Sequence, residues 1–164
     1  MGRRCKIDVA EIKAIAVESL LGRFGEHLEA VALFGSWARG EAAELSDLDF
    51  FVVVDRLPKE PVRRRYMVCD ALTHVSRRFG CEVSVVEADA EQFGKEVTPL
   101  LMNIAHDGVI LYDRAGRIEE LLKRVKDAVK RAGLVRYKTS DGKYGWRPSH
   151  ELKAGEVFTV QLQG

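Results

Sequence analysis

Asp47 and Asp49, two acids separated by one residue, are the pair in this chain whose spacing most directly suggests chemistry. They stand at the start of an apolar run through residues 48–54 that reads as a strand, and residues two apart on a strand point to the same side. The two carboxylates therefore repel each other unless a cation lies between them. Because Mg²⁺ commonly takes one or two carboxylates together with substrate phosphates, the pattern predicts a divalent-metal site at Asp47 and Asp49.

Gly35 and Ser36 form a second chemical feature upstream of the acids. They end an apolar run at residues 31–34 and lead into an Ala-rich stretch, where we expect a helix over residues 37–43. Free backbone N–H groups and the dipole at the start of a helix favour phosphate, and glycine lets the backbone approach a ligand closely. An ordinary turn is the alternative, but the position ahead of the acid pair favours phosphate binding.

Glu82 is the third candidate, because it is an acid between the apolar residues Cys81 and Val83 on a predicted strand over residues 81–86. If that strand lies beside the strand of Asp47, Glu82 completes a cluster of three carboxylates that can hold two metal ions roughly 3.5 to 4 Å apart. Alternatively, Glu82 is an edge-strand charge that faces water, since Ser84 shares its side of the strand.

The elements that must position these residues alternate between helices and strands. Residues 9–24 have helical periodicity, with Asp8 as N-cap and Gly25 as the stop. The other predicted helices cover residues 62–79, 97–106 and 117–132, and the other strand covers residues 109–112. For the helix at 62–79 we expect one inward face, formed by Val62, Tyr66, Cys69, Leu72, Val75 and Phe79. This order predicts an α/β domain with a small mixed β-sheet flanked by helices.

The chain divides in composition near Gly133. Residues 1–133 form the predicted α/β domain, and residues 134–164 form a basic and aromatic C-terminal extension that we interpret as a β-hairpin, with strand-like alternation again at 157–162. Arg136, Lys138, Lys143 and Arg147 interleave there with Tyr137, Tyr144 and Trp146. Such a mixture can bind nucleic acid, whereas a flexible or oligomer-forming extension is the alternative that we favour.

Length and charge restrict the remaining possibilities. At 164 residues the chain fits one domain, and its 26 Lys and Arg against 25 Asp and Glu neither require nor exclude a nucleic-acid partner. Its three cysteines are too few and too scattered for a disulfide framework or a zinc site. Because no apolar run approaches the length of a signal peptide core or a membrane span, we expect a cytoplasmic protein without a membrane partner.

The run G-S-x10-D-x-D, formed by Gly35, Ser36, Asp47 and Asp49, resembles the signature of the DNA-polymerase-beta-type nucleotidyltransferase superfamily. Glu82, 33 residues after Asp49, falls where that superfamily has its third carboxylate. The resemblance covers about residues 10 to 130 and is close to the minimal nucleotidyltransferases, which include antitoxin partners of HEPN-domain proteins. It implies an α/β (α+β) fold with a polymerase-beta-type nucleotidyltransferase core.

The same resemblance implies a role for each acid. Asp47 and Asp49 hold two Mg²⁺ ions, for which Mn²⁺ can substitute, and Glu82 joins them as a metal ligand and assists deprotonation of an acceptor hydroxyl. The reaction moves a nucleoside monophosphate, AMP from ATP, to that hydroxyl and releases pyrophosphate. A tyrosine of a HEPN-type partner protein is the acceptor that the minimal group suggests.

The resemblance also assigns the nucleotide contacts. Gly35 and Ser36 bind the β and γ phosphates, and Arg39 and Ser46 complete the predicted nucleotide-binding set. A module that binds a nucleotide without turnover and restrains its partner by contact is the competing interpretation. The filled motif weighs against this module, because a degenerate motif would have favoured it.

Overall fold

The computed structural model describes residues 8–156 and 159–162. Thirteen elements follow one another: helix α1 (Val9–Phe24), a 3₁₀ turn (Gly25–His27), strand β1 (Leu28–Phe34), α2 (Gly35–Arg39), β2 (Leu48–Val54), α3 (Pro61–Ala71), α4 (Thr73–Phe79), β3 (Val83–Asp89), α5 (Pro99–Asp107), β4 (Val109–Asp113), α6 (Arg117–Arg131), β5 (Leu134–Lys138) and β6 (Tyr144–Pro148). The alternation of helices and strands is confirmed. Asp8 caps α1 as predicted, since its side chain accepts a hydrogen bond from the N–H of Ala10 at 3.1 Å.

Four strands form one sheet in the order β3-β2-β1-β4. β1 is antiparallel to both β2 and β4, whereas β2 and β3 run parallel, so the predicted small mixed sheet is confirmed. Because β2 is a central strand, its residues alternate between two buried faces. Phe50 and Val52 pack toward α1, α3 and α4, while Phe51 and Val53 pack toward α5 and α6. Asp49 shares the face of Phe51.

The stretch 62–79 differs from its prediction as one continuous helix. The structure has two helices, α3 and α4, separated at Leu72, where φ is −96° and ψ is 2°. Within α3 the inward side is formed by Met67, Val68 and Ala71 with Cys69, so the six residues expected on one inward face do not share a single stripe. Val62 and Tyr66 are 83% and 67% exposed, and Val68 is the buried residue of α3.

Strands β5 and β6 form an antiparallel two-stranded sheet after α6. Arg136 lies opposite Trp146, and Lys138 lies opposite Tyr144, so these four residues share the face of the hairpin that turns toward the domain. Part of the alternation at 157–162 lies outside the described residues, and 159–162 has no regular secondary structure. None of the helices in the described ranges is long and apolar enough to cross a membrane.

Candidate active site

Asp47 and Asp49 lie at the start of β2, as the sequence predicts. Asp47 is exposed directly before the strand, and Asp49 is half-buried opposite Phe34 of β1. Burial, and next the negative charge of Asp47, raise the pKa of Asp49 to about 6, while the positive charge of Arg39 acts in the opposite direction. Asp49 therefore carries a negative charge that its protein surroundings do not fully compensate.

Gly35 packs directly against the carboxylate of Asp49. A Cβ at position 35 would lie 2.2 Å from Oδ2 of Asp49, and the φ of Gly35 is +74°, a backbone conformation that side-chain-bearing residues rarely adopt. From the sequence, glycine at this position is expected because it lets a ligand approach the backbone closely. The structure adds that glycine is required here because the acid itself occupies the space.

Helix α2 begins at Gly35 and is shorter than predicted. It ends at Arg39 because Gly40 takes a left-handed conformation, with φ at 71°, and closes the helix as its C-cap. No side chain caps the first turn, so the backbone N–H groups at Gly35 and Ser36 remain available to an anion. Ser36 and Arg39 are three residues apart and lie on the same side of the helix.

Ser46 shapes the loop that leads from α2 to Asp47. Its hydroxyl accepts a hydrogen bond from the N–H of Ala43 at 2.8 Å, and its carbonyl accepts one from Nε1 of Trp37 at 3.1 Å. Trp37 thereby links the helix to the residue before the acids. The nucleotide-binding role assigned to Ser46 stays a prediction, and the contacts in the structure give Ser46 a role in placing Asp47.

Glu82 lies beside the acid pair but not inside a strand, which corrects the sequence prediction. The backbone carbonyl of Glu82 accepts a hydrogen bond from the N–H of Leu48 at 2.9 Å, and β3 begins only at Val83. The parallel register pairs Leu48 with Val83, so alternation puts Glu82 on the face of Asp47 and Asp49.

The predicted cluster of three carboxylates is not formed. The side chain of Glu82 is exposed, and among the described residues no three His, Cys, Asp or Glu side chains come together with the geometry of a metal site. The physical reason is that three carboxylates at close range repel one another unless a cation lies between them, and Glu82, at the end of a strand, is free to turn toward water.

Arg39 makes contacts that the sequence did not predict. Its Nε donates to Oε2 of Glu41 at 2.9 Å, and its Nη1 lies 3.9 Å from Oδ2 of Asp107 on α5. Its guanidinium also lies 4.6 Å from the ring centroid of Tyr144 on β6. Glu41, Asp107 and Tyr144 follow no recognisable motif, so only the folded chain brings them to the site.

The motif implies a divalent metal, which needs hard oxygen donors. Asp47 and Asp49 fit it, because they are adjacent oxygen donors and because the charge of Asp49 is left partly uncompensated by its neighbours. Asp47 also lies near Cys81, since burial first and then the charge of Asp47 raise the pKa of that thiol. Cys81 is the residue directly before Glu82, which in turn precedes β3.

Comparison with known proteins adds an independent line of support. Residues 17–117 match the family Polymerase beta, Nucleotidyltransferase. Protein adenylyltransferase MJ1305 of Methanocaldococcus jannaschii is 34% identical over 110 residues, which cover 66% of this chain and 75% of the relative. Protein adenylyltransferase MJ0604 of the same organism is 30% identical over 105 residues, which cover 62% of this chain and 98% of the relative.

Two solved structures share the fold. A toxin–antitoxin with AMP-PNP superimposes with a TM-score of 0.50 at 16% identity, covering 71% of this chain and 86% of that chain. A mutant of the toxin–antitoxin MntA-HpeT gives a TM-score of 0.51 at 16% identity, covering 70% of this chain and 85% of that chain. At this identity the likeness concerns the fold.

The mixed sheet, the glycine turn after β1 and the acid pair at the start of β2 are together the features of a nucleotidyltransferase. The family match covers more than half of the chain, and MJ1305 extends the agreement at the level of sequence. This chain belongs to the polymerase beta nucleotidyltransferase family and is a nucleotidyltransferase.

Proposed function

We propose that this nucleotidyltransferase moves AMP from ATP to a hydroxyl group of a partner protein, with Mg²⁺ or Mn²⁺ bound by Asp47 and Asp49. The observation that carries the proposal is the contact of Gly35 with Asp49, which puts the N–H groups at the start of α2 directly beside a carboxylate of raised pKa. Anion donors and cation ligands side by side suit a metal-bound triphosphate.

The positions of Gly35, Ser36 and Arg39 support their predicted roles as nucleotide contacts. The backbone N–H groups at Gly35 and Ser36 bind the β and γ phosphates, and Arg39, on the same side of α2, contacts the same phosphates. Ser46 holds the loop that presents Asp47. The divalent metal, when bound, neutralises charge on the phosphates and lowers the pKa of the attacking hydroxyl.

The transfer itself is an exchange of one phosphorus–oxygen bond for another. The acceptor hydroxyl oxygen attacks the α phosphorus, the bond to the β-phosphate oxygen breaks, and pyrophosphate leaves. We assign the hydroxyl proton to the carboxylate of Glu82, which is exposed beside Asp47 and faces the same side of the sheet. Its exposure gives an incoming acceptor direct access.

A protein acceptor agrees with the names of the relatives MJ1305 and MJ0604, both called protein adenylyltransferases. The resemblance of the motif to the minimal nucleotidyltransferases suggests a HEPN-type partner, and a tyrosine hydroxyl is the acceptor that we propose. The solved structures that share the fold are of toxin–antitoxin proteins. A cytoplasmic location is part of the same proposal.

The test is transfer of label from α-labelled ATP with Mg²⁺ or Mn²⁺, using the purified chain alone and with the protein encoded by its neighbouring gene. Label is expected on the neighbouring protein, and it should be lost in Asp47→Asn and in Asp49→Asn. Asp70→Asn, the same change at an exposed position of α3, is the matched control and should transfer normally.

The outcomes separate the alternatives. Full transfer by Asp49→Asn would contradict the mechanism, since the acid pair would then be dispensable. Binding of ATP without label on any protein would instead favour the module that restrains its partner by contact alone.

A further inference from the structure

The β5–β6 hairpin lies outside the matched family region at 17–117, yet it packs against the proposed nucleotide site. Nε1 of Trp146 donates to Oδ1 of Asn103 on α5 at 3.0 Å, and the Trp146 ring meets the His106 ring edge-on with centroids 5.6 Å apart. These contacts anchor β6 to α5, the helix that ends at Asp107.

From that anchor the hairpin reaches the end of α2. The hydroxyl of Tyr144 donates to Oε1 of Glu41 at 2.8 Å, and Nζ of Lys138 lies 3.8 Å from the same oxygen. Hydrogen bonds from Arg39 and then from Tyr144 lower the pKa of Glu41, so this carboxylate remains charged and holds both partners.

The ring of Tyr144 is surrounded by cations. The guanidinium of Arg136 lies 4.0 Å from its centroid, that of Arg39 lies 4.6 Å away and the ammonium of Lys138 lies 5.2 Å away. Nη1 of Arg136 also lies 2.6 Å from Oδ2 of Asp107, the carboxylate that Arg39 approaches. Distances of this size allow cation–π attraction.

Arg39 links this contact to the acid pair. Three cations, Arg39, Arg136 and Lys138, meet the carboxylates of Glu41 and Asp107, and the positive charge of Arg39 also acts on Asp49. The cluster adjoins α2, whose first turn carries the proposed phosphate donors. Arg39 is the last residue of α2, and its guanidinium also contacts Tyr144 of the hairpin. The hairpin therefore restrains the position of this guanidinium.

We propose that the β5–β6 hairpin is part of the nucleotide site and that Tyr144 and Arg136 are positioning residues that hold Arg39 toward the β and γ phosphates of the bound triphosphate. The inference rests on the proposed function, because it assigns the hairpin to the same phosphates. The proposal also explains the basic and aromatic residues of the extension without nucleic-acid binding, because Arg136 and Trp146 contact α5 of the domain.

The test compares the binding of ATP and AMP to the full chain with Mg²⁺ by calorimetry, because AMP lacks the phosphates that Arg39 would contact. Tyr144→Leu removes the ring and should weaken ATP about fivefold, the equivalent of about 1 kcal/mol of cation–π attraction, with AMP changed less than about twofold. Tyr144→Phe keeps the ring and should bind ATP as the wild type does.

Tyr137→Leu is the matched control, because Tyr137 lies on the opposite, outward face of the same hairpin. It should leave the affinity for both nucleotides unchanged. If Tyr144→Leu does not fold, Arg136→Lys serves in its place, since lysine keeps a charge toward Asp107 but loses the flat guanidinium beside the ring. Arg136→Lys should also weaken ATP selectively over AMP.

Wild-type affinity for ATP in the folded Tyr144→Leu or Arg136→Lys chain would overturn the inference, and so would an equal loss of ATP and AMP binding. Failure of the proposed function is distinguishable from either result. If the wild-type chain binds ATP but transfers no label, the proposed AMP transfer is wrong, and the ratio of ATP to AMP affinity still tests the role of the hairpin. If the wild-type chain binds no ATP, both proposals are wrong.

Discussion

Replacing Asp49 by Asn should stabilise the metal-free chain, and the gain should depend on pH. Burial and the charge of Asp47 raise the pKa of Asp49 from its ordinary value of 3.8 to about 6. A folded-state pKa above the unfolded value means that the protonated form is favoured by folding. The ionised group therefore destabilises the fold, and this cost develops as the pH rises from about 4 to about 6 and is constant above that.

The size of the effect follows from the two pKa values. At 1.36 kcal/mol per pKa unit, the difference between 3.8 and about 6 corresponds to about 3 kcal/mol. Asp49 is only half-buried, so screening by water reduces this figure, and we expect about 1 to 2 kcal/mol. For a domain of this length, each kcal/mol moves Tm by about 2–4 °C.

The measurement is unfolding by urea and by heat, in the presence of a chelator, at several pH values between 4 and 8. Asp49→Asn should gain stability over the wild type as the pH rises to 6 and hold that gain above it. Asp70→Asn, an exposed control, should change stability by less than about 0.5 kcal/mol at every pH. Mg²⁺ should then stabilise the wild type and leave Asp49→Asn unaffected.

Two results would refute this reasoning. A gain for Asp49→Asn that is the same at pH 4 and pH 8 would show that ionisation is not its cause. A loss of stability in Asp49→Asn at pH 8 would show that contacts in the protein compensate the charge of the Asp49 carboxylate, so that it requires no cation.

Two further changes test the packing around the sheet. Gly35→Ala should abolish transfer and lower the free energy of unfolding by about 1–3 kcal/mol, because its Cβ would meet Asp49 at 2.2 Å and φ there is +74°; retention of wild-type activity would contradict the close contact. Glu87→Ala should lower the free energy of unfolding, measured by chemical denaturation, by about 1–3 kcal/mol. The Glu87 side chain is 6% exposed, and its carboxylate lies 3.6 Å from Nε of Arg64 and 3.4 Å from Nε of Arg65 on α3. An unchanged midpoint would show that these ion pairs contribute nothing to stability.

The sequence alone determined the features that depend on residue type and on local spacing along the chain. The limits of β2 follow from a continuous apolar run, and the cap of α1 at Asp8 follows from a residue type that caps helices. The position of Asp47 and Asp49 at the start of β2 follows from their spacing before that run. The run from Gly35 to Asp49 was also sufficient to indicate the family, since its spacing is set by one turn and one loop between neighbouring strands.

The break of the helix at Leu72 marks where local periodicity stops being sufficient. The apolar residues on either side of it fit a single helical stripe in the sequence, but the exposure of Val62 and Tyr66 depends on how α3 packs on the sheet. The position of Glu82 also depends on the tertiary structure, because its side chain can reach Asp47 and Asp49 only through the parallel pairing of β3 with β2.

Only the tertiary structure decided which residues complete the site. Tyr144 and Glu41 are 103 residues apart, and Arg136 reaches Asp107 across an interface between the hairpin and α5, so no local pattern relates them. The close packing of Gly35 on Asp49 likewise arises from the pairing of β1 with β2. Local periodicity determines which face of an element is apolar, whereas the contacts that hold Arg39 depend on elements brought together by burial of the common core.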